Sequence, residues 1–350
     1  MPSRACTAVP HERQRRPGAT RRRTRRTARR AGEEARRGHR GTRQPQAGAR
    51  GAHREGRHRP RRDRRDAAGA EQVTTAVEAP TEVQPGLYDI DAELYHQDPV
   101  PGGSLSSTGA RKLATLCPAK FKYWSEHPQP PKKEFDLGTA AHTLVLGDGP
   151  ELVVVNAEKW TTNAVKAEVA AIRAEGKTPL KPSELEQVKA MVVELRADPE
   201  ASALLDPESG VAEQSAFWED NGIWRRARFD WLRHDGQLVD YKTTKSAHPL
   251  ELPKVIHDWG YHQQQEYYLD AGLALDLIDP EKPFQFVLQE KEPPYLVVVT
   301  TCDPMAREVG RHLNTVALNA YAFCRESGEW PGYMPNPMVS LPSWVERQYT

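Results

Sequence analysis

The stretch Arg225–Lys245 (RRARFDWLRHDGQLVDYKTTK) is predicted to decide the fold. It contains two β-type runs on either side of His234-Asp235-Gly236, which is typical of a β-hairpin. A two-residue turn would place Asp230 and Asp240 on opposite faces of the hairpin. A three-residue loop, with Gly236 in the left-handed conformation, would place the two aspartates directly opposite each other. We favour the three-residue loop.

In that register Lys242 shares a face with Asp230 and Asp240, because side chains alternate along a strand. Two adjacent carboxylates repel each other unless a cation lies between them. A divalent metal ion that takes oxygen ligands, Mg²⁺ or Mn²⁺, meets this need, and the lysine could position or deprotonate an attacking water. The pattern therefore suggests metal-assisted hydrolysis of a phosphodiester, with a solvated hairpin face as the alternative. The other face is predicted to be a core-facing set of Ala227, Phe229, Trp231, Val239 and Tyr241.

Two further motifs flank the hairpin. Gly138–Leu146 (GTAAHTLVL) contains Gly-x-x-x-His, and Gly260–Gly272 (GYHQQQEYYLDAG) contains Gln-x-x-x-Tyr. Together with the Asp-x-Lys hairpin, these motifs resemble the PD-(D/E)XK nucleases of the RecB type. The likeness is closest to the nuclease domain of RecE-type exonucleases (exonuclease VIII), and it covers about Ser104–Tyr333. The sequence departs from the superfamily pattern at Phe229, where that pattern has proline.

The resemblance implies a metal site. Its expected ligands are His142, Asp230, Asp240, the carbonyl of Tyr241 and, as an extra acidic residue, Glu213. The alternatives are that His142 is a packed core histidine and that Glu213 faces solvent on a strand.

The resemblance also implies catalytic roles for the hairpin and for the helix that follows it. Asp230 and Asp240 would hold the metal, while Lys242 would orient the water that attacks the phosphorus. Gln264 would hydrogen-bond a phosphate or a water, and Tyr268 would stack on a base or close the site. Because Gln264 and Tyr268 are four residues apart on a helix, they share one face, and a polar–aromatic packing pair is the alternative.

These features predict a Mg²⁺-dependent deoxyribonuclease. The RecE-type family implies a 5′→3′ exonuclease that acts on double-stranded DNA ends in recombination. It also implies a ring-shaped homo-oligomer, a single-strand annealing protein as partner, and a phage or prophage origin. The alternatives are a structure-specific endonuclease and an inactive DNA-binding relic.

The charge of the chain is divided sharply. Residues 1–70 contain 23 arginines, no lysine and six acidic residues, a net charge of +17, whereas the remainder carries −16. The first 70 residues also lack Phe, Trp, Tyr, Leu and Ile, so they cannot bury enough apolar surface to fold alone. We expect a disordered Arg-rich tail over 1–75, either a nucleic-acid-binding arm or sequence upstream of the true start.

The predicted organisation continues with a linker over 76–103 that includes a short edge element within Val83–Tyr95. A nuclease domain over 104–335 and a Pro-rich tail over 336–350 follow. The expected fold is α/β, with a central mixed sheet flanked by helices. No apolar run is long enough for a membrane span, so we expect a cytoplasmic protein. The four cysteines form no C-x-x-C pair, which favours buried reduced thiols.

Local patterns predict the principal elements. Helices are expected over Ser104–His127, Phe135–Leu146, Trp160–Gly176, Ser183–Ala197 and Leu250–Leu273, with a last helix capped by Asp303 and followed by Pro304. A capping box of Ser183 and Glu186 is expected at the start of the helix over Ser183–Ala197. Besides the hairpin, strands are expected over Leu152–Val155, Val211–Trp218, Phe284–Leu288 and Tyr295–Thr300.

Overall fold

The computed structural model describes residues 83–127 and 136–349. The predicted tail over 1–75 lies outside the described residues, as does Cys6. The strands are β1 Gly86–Tyr88, β2 Leu105–Ser106, β3 Leu152–Val154, β4 Thr178–Leu180, β5 Gly210–Asp220, β6 Ile223–Arg233, β7 Leu238–Thr244, β8 Gln285–Glu290 and β9 Val297–Thr300. The helices are α1 Ala92–Gln97, α2 Ser107–Thr115, α3 Pro118–Glu126, α4 Asp136–Leu146, α5 Asn163–Ala174, α6 Pro182–Ala197, α7 Pro199–Leu204, α8 Leu252–Trp259, α9 Tyr261–Ala274, α10 Pro304–Ser327 and α11 Ser343–Glu346.

Seven strands form the central sheet. Its order is β1-β5-β6-β7-β8-β9, and β2 pairs in parallel with β6 at the side. The β7–β8 pair is parallel and the other main pairs are antiparallel, so the sheet is mixed. Helices α2, α9 and α10 contribute to one core cluster, and α4 and α6 contribute to another. The predicted α/β fold with a mixed sheet between helices is confirmed.

The register of the central hairpin is the predicted one. Trp231 pairs with Val239 and Leu232 pairs with Leu238, so the next residues toward the site are Asp230 and Asp240. Gly236 has a φ of 79°, which a residue with a side chain rarely adopts. The three-residue loop therefore forms as expected.

The five hairpin residues predicted to face the core are all buried, but the prediction that they share one face is wrong. Ala227 and Phe229 lie in the first core cluster, whereas Trp231, Val239 and Tyr241 lie in the second. The switch from one core cluster to the other occurs beside Glu213 of β5, whose φ is 53°. Residue 213 is also missing from the otherwise continuous β5–β6 pairing. A left-handed residue inside a strand interrupts the alternation of side chains, which a sequence pattern cannot reveal.

The helix predicted over Ser104–His127 is in fact the short strand β2 followed by two helices. Ser106 caps α2 by accepting a hydrogen bond from the Gly109 amide. The break lies at Cys117, which is extended because the next residue is Pro118. The helix expected over Leu250–Leu273 is likewise divided, at a left-handed glycine, into α8 and α9.

The segment before α2 is part of the packed structure. Strand β1 pairs with β5 at the edge of the sheet, as the sequence suggested for part of Val83–Tyr95. Ile90, Tyr95 and Val100 are buried with Phe217 in a third cluster. Residues 83–103 therefore contribute to the core, although the sequence suggested a linker over this segment.

Helix caps match the sequence in one case and not in another. Asp303 accepts from the Ala306 amide at the start of α10, with Pro304 at the first position, as predicted. The capping box predicted for Ser183 and Glu186 is wrong. Glu184 accepts from the backbone amide of Lys181 instead, because α6 begins earlier, at Pro182.

Two further sequence expectations concern the cysteines and the membrane. Cys117, Cys302 and Cys324 are buried free thiols. Within residues 83–127 and 136–349, no helix has the length and apolarity needed to span a bilayer.

Because apolar packing in the described chain begins at Val83, we expect the folded unit to form without residues 1–75. Melting temperatures of the full chain and of a chain that starts at residue 76 should agree within about 2 °C. A chain that starts at residue 104 is the matched comparison and should melt much lower, because it loses β1 and the third cluster. A much lower melting temperature for the chain that starts at residue 76 would contradict the predicted boundary.

Candidate active site

The site lies where strands β6 and β7 separate. Their pairing ends at Trp231–Val239, and the Asp230 carboxylate enters the gap, where Oδ2 accepts a hydrogen bond of 3.1 Å from the Tyr241 amide. Lys242 Nζ lies 2.6 Å from Asp240 Oδ2 and 3.3 Å from Asp230 Oδ2. The two aspartates and the lysine of the sequence motif are thus brought together.

Helix α4 brings His142 to this gap. A Cβ on Gly138, one turn earlier, would lie only 3.3 Å from Thr243 Oγ1, so glycine permits the close approach of α4 to β7. His142 Nδ1 lies 3.7 Å from Asp230 Oδ2. Burial lowers the pKa of His142 and outweighs the opposing effect of Asp230, so the imidazole is favoured in the neutral form that binds metals.

Glu213 reaches the same gap from β5. Burial, followed by the negative charge of Asp230, raises the pKa of Glu213 to about 7. Arg228 holds it in place, because its Nε donates to Glu213 Oε2 at 2.6 Å and its Nη1 donates to Ser215 Oγ and to the carbonyl of Ile90. Sequence reasoning missed Arg228, which gave no signal beyond a charged residue in a strand.

His142, Glu213 and Asp230 form a candidate metal centre. One ligand atom from each residue can be chosen so that all three lie within 4.8 Å of one another. Three nitrogen and oxygen donors around one point suit a divalent cation such as Mg²⁺ or Mn²⁺, and a cation there would offset the buried negative charge. These residues therefore fit the metal that the sequence suggested.

Asp240 lies beside this group rather than in it. Its Oδ1 accepts a hydrogen bond of 2.8 Å from Gln264 Nε2, and its Oδ2 faces the lysine ammonium. Only 1% of Asp240 is exposed, and burial together with the nearby Asp230 raises its pKa to about 7. The Tyr241 side chain is buried in the second core cluster, where its ring lies 5.0 Å from that of His142 and its hydroxyl donates to Gln289 Oε1. The metal-binding roles of Asp240 and of the Tyr241 carbonyl stay predictions.

Lys242 is a cation in this setting. Burial alone would lower its pKa, but Asp230 and Asp240 outweigh that effect and raise the pKa well above its ordinary value. Of the two roles that the sequence left open, the charge balance favours orienting a water or a phosphate oxygen over accepting a proton.

A cleft of about 210 Å³ opens beside the ammonium of Lys242. Gln264 and Tyr268 line it, so the helix motif reaches the site as predicted. The Tyr268 ring also packs edge-on against Phe229 with a centroid distance of 5.5 Å, and this contact holds the ring in the wall of the cleft.

The other residues of the cleft lining were not predicted. They are Ser107, Thr108, Arg111, Trp259, Gly260 and Tyr261. Arg111 and Trp259 are 148 residues apart in sequence, yet the arginine side chain donates a hydrogen bond to the tryptophan carbonyl. No local spacing could have indicated this pair.

Comparisons with known proteins give a fold but no family. No protein-family model matches the chain, and no curated protein matches it significantly. The fold is similar to the crystal structure of a protein from Eubacterium rectale that has been assigned as an exonuclease. The TM-score is 0.50 at 13% identity, over 75% of this chain and 98% of that one.

Two other solved structures match at lower scores. One is the protein designated SSO0001, with a TM-score of 0.26 at 13% identity, over 63% of this chain and 75% of that one. The other is LHK-Exo in complex with dAMP, with a TM-score of 0.20 at 11% identity, over 56% of this chain and 98% of that one. Similarity at these scores does not establish a shared fold.

The raised pKa values of Glu213 and Asp240 predict how stability depends on pH. A carboxyl group whose pKa is higher in the folded chain stabilises the fold below pH ~4, and this contribution is lost as the pH rises through about 7. In metal-free buffer, the wild-type protein should therefore lose more melting temperature between pH 5 and pH 8 than the Asp240→Asn variant, whose amide does not ionise. Differential scanning fluorimetry measures both slopes.

Adding millimolar Mg²⁺ at pH 8 should then raise the melting temperature of the wild type, because a ligand that binds only the folded state stabilises it. Asp230→Asn should show little of this rise. Equal pH slopes for wild type and Asp240→Asn, or an equal Mg²⁺ response in Asp230→Asn, would contradict this account of the site.

Proposed function

We propose that this protein is a divalent-metal-dependent deoxyribonuclease, and that it acts as a 5′→3′ exonuclease on double-stranded DNA ends. One observation carries the proposal. A histidine, two buried aspartates, a half-buried glutamate and a lysine ammonium, drawn from α4 and from the neighbouring strands β5, β6 and β7, meet beside an open cleft. The similarity of fold to a protein assigned as an exonuclease supports the same reading.

Each side chain has a role that follows from its surroundings. His142, Glu213 and Asp230 would hold Mg²⁺ or Mn²⁺, and Asp240 would complete the set from the other side of the gap. When bound, the metal supplies a positive charge that activates the attacking water and stabilises the leaving oxygen. Lys242 orients the attacking water or a phosphate oxygen and stabilises the charge that develops on the phosphoryl group.

Gln264 and Arg111 extend this arrangement toward the substrate. Gln264 fixes Asp240 Oδ1 through its amide, so its remaining carbonyl oxygen can accept from a water in the cleft. Arg111, which lines the same cleft as Lys242, is a second cation that could contact a DNA phosphate. A phosphodiester in the cleft would thus meet both a lysine and an arginine.

The alternatives are a structure-specific endonuclease and a DNA-binding relic. The relic is disfavoured because the charged groups of the site remain in contact with one another, with Lys242 within 3.3 Å of both aspartates. A ring-shaped homo-oligomer, a single-strand annealing partner and a role in recombination belong to this proposal by resemblance to RecE-type exonucleases.

Replacing the charged centre should remove activity without unfolding the protein. We expect Asp240→Ala and Lys242→Ala each to lower Mg²⁺-dependent DNA cleavage at least about 100-fold, because each removes a charge from the reacting centre. Lys189→Ala, which truncates an exposed lysine on α6, is the matched control and should cleave normally. Cleavage retained by either site variant, with an unchanged melting temperature, would contradict the mechanism.

The exonuclease assignment is checked with DNA topology. Linear duplex DNA should be degraded in the presence of Mg²⁺, and a covalently closed circle of the same sequence should stay intact. Early release of label from the 5′ end rather than the 3′ end would support the proposed polarity. Efficient cutting of closed circles would favour the endonuclease instead.

A further inference from the structure

The indole of Trp259 is exposed beside the cleft. Trp259 is 51% exposed, although it is the last residue of an ordered helix and lines the cleft that contains Lys242. Within residues 83–127 and 136–349, no hydrogen bond, ring stacking or cation–π contact involves its side chain. A large, rigid aromatic ring that lies open beside a reactive centre is suited to binding a flat ligand.

The other aromatic rings of the cleft are already used in packing. Tyr261 stacks on Phe286 at a centroid distance of 5.7 Å, with an angle of 27° between the rings. Tyr268 packs edge-on against Phe229. Among the aromatic residues that line the cleft, Trp259 is therefore the one whose face is available to a substrate.

The backbone that carries this indole is fixed from two sides. Gly260 ends α8 with a φ of 67°, and its amide donates to the His257 carbonyl. Arg111 donates to the Trp259 carbonyl, and a Cβ on Gly260 would lie 2.5 Å from Arg111 Cδ. A side chain at residue 260 would clash with Arg111 and would be strained at this φ, so the glycine lets the arginine fix the backbone that carries the indole.

We propose that Trp259 stacks on an unpaired nucleobase of the DNA strand that is cleaved, next to the phosphate held by Lys242. This inference rests on the proposed nuclease function and adds a base-binding position to it. Stacking on an aromatic ring is possible for every base, so the position reads no sequence. A base that has left the duplex exposes its ring to such stacking, so this position suits the frayed or single-stranded end of a strand.

The first test compares DNA with and without that base. The wild type should cleave a linear duplex with an abasic residue at the end about 5-fold to 100-fold more slowly, as kcat/KM, than the same duplex with a normal end. Trp259→Ala should lose a similar factor on normal DNA and should show no further loss on abasic DNA. Trp259→Phe should recover much of the rate, because a smaller ring still stacks.

Trp344→Ala is the matched control, since this tryptophan is 61% exposed and lies in α11. It should behave as the wild type, and all variants should melt at the wild-type temperature. The inference would be overturned if the Trp259→Ala variant still cleaved normal ends faster than abasic ends by the same kcat/KM ratio as the wild type.

A second test does not depend on cleavage. In the Asp240→Asn background with Mg²⁺, 2-aminopurine at the strand end should lose fluorescence on binding, and Trp259→Ala should abolish this loss. DNA binding with equal quenching in both proteins overturns the base-stacking position but leaves the nuclease proposal standing. Absence of DNA binding and of cleavage by the full wild-type chain overturns both.

Discussion

Mutual repulsion among buried carboxyl groups is the constraint on which this site depends. Glu213, Asp230 and Asp240 lie close together with little access to water, and burial raises the pKa values of the first and third to about 7. Within the described chain, Lys242 and Arg228 offset only part of this charge. Such a cluster is costly for a structural core, but it is suited to holding a divalent cation, whose charge would repay the cost of burial.

The fold creates this cluster by interrupting its own regular pattern. Strands β6 and β7 stop pairing after Trp231–Val239, and Asp230 uses its side chain to bind the Tyr241 amide that pairing would otherwise have occupied. On the other side of β6, Glu213 adopts a left-handed conformation. At this point the side chains of the sheet switch from the first core cluster to the second. Both irregularities fall at the acidic residues, so the deviations from an ideal sheet coincide with the proposed chemistry.

Helices on both faces of the sheet complete the arrangement. Helix α4 supplies His142 from one face, and α9 supplies Gln264 from the other, so the reactive gap is held between two packed layers. Helix α2 contributes Arg111, which contacts the end of α8 and fixes the wall of the cleft. Substrate would therefore enter between elements held by the core, an arrangement that favours precise positioning of a phosphodiester.

The sequence by itself determined the α/β class, the hairpin register with its loop at Gly236, and the meeting of Asp230, Asp240 and Lys242. The hairpin features follow from local rules, since turn chemistry sets register and strand periods set which neighbours share a face. The expectation that His142 and Gln264 belong to the same site came from the resemblance to RecB-type nucleases. Only the tertiary structure decided that Arg228 holds Glu213, that the apolar face divides at residue 213, and that Arg111 lies against Trp259. Such contacts join distant segments through packing and one unusual backbone angle, and neither leaves a periodic trace in the sequence.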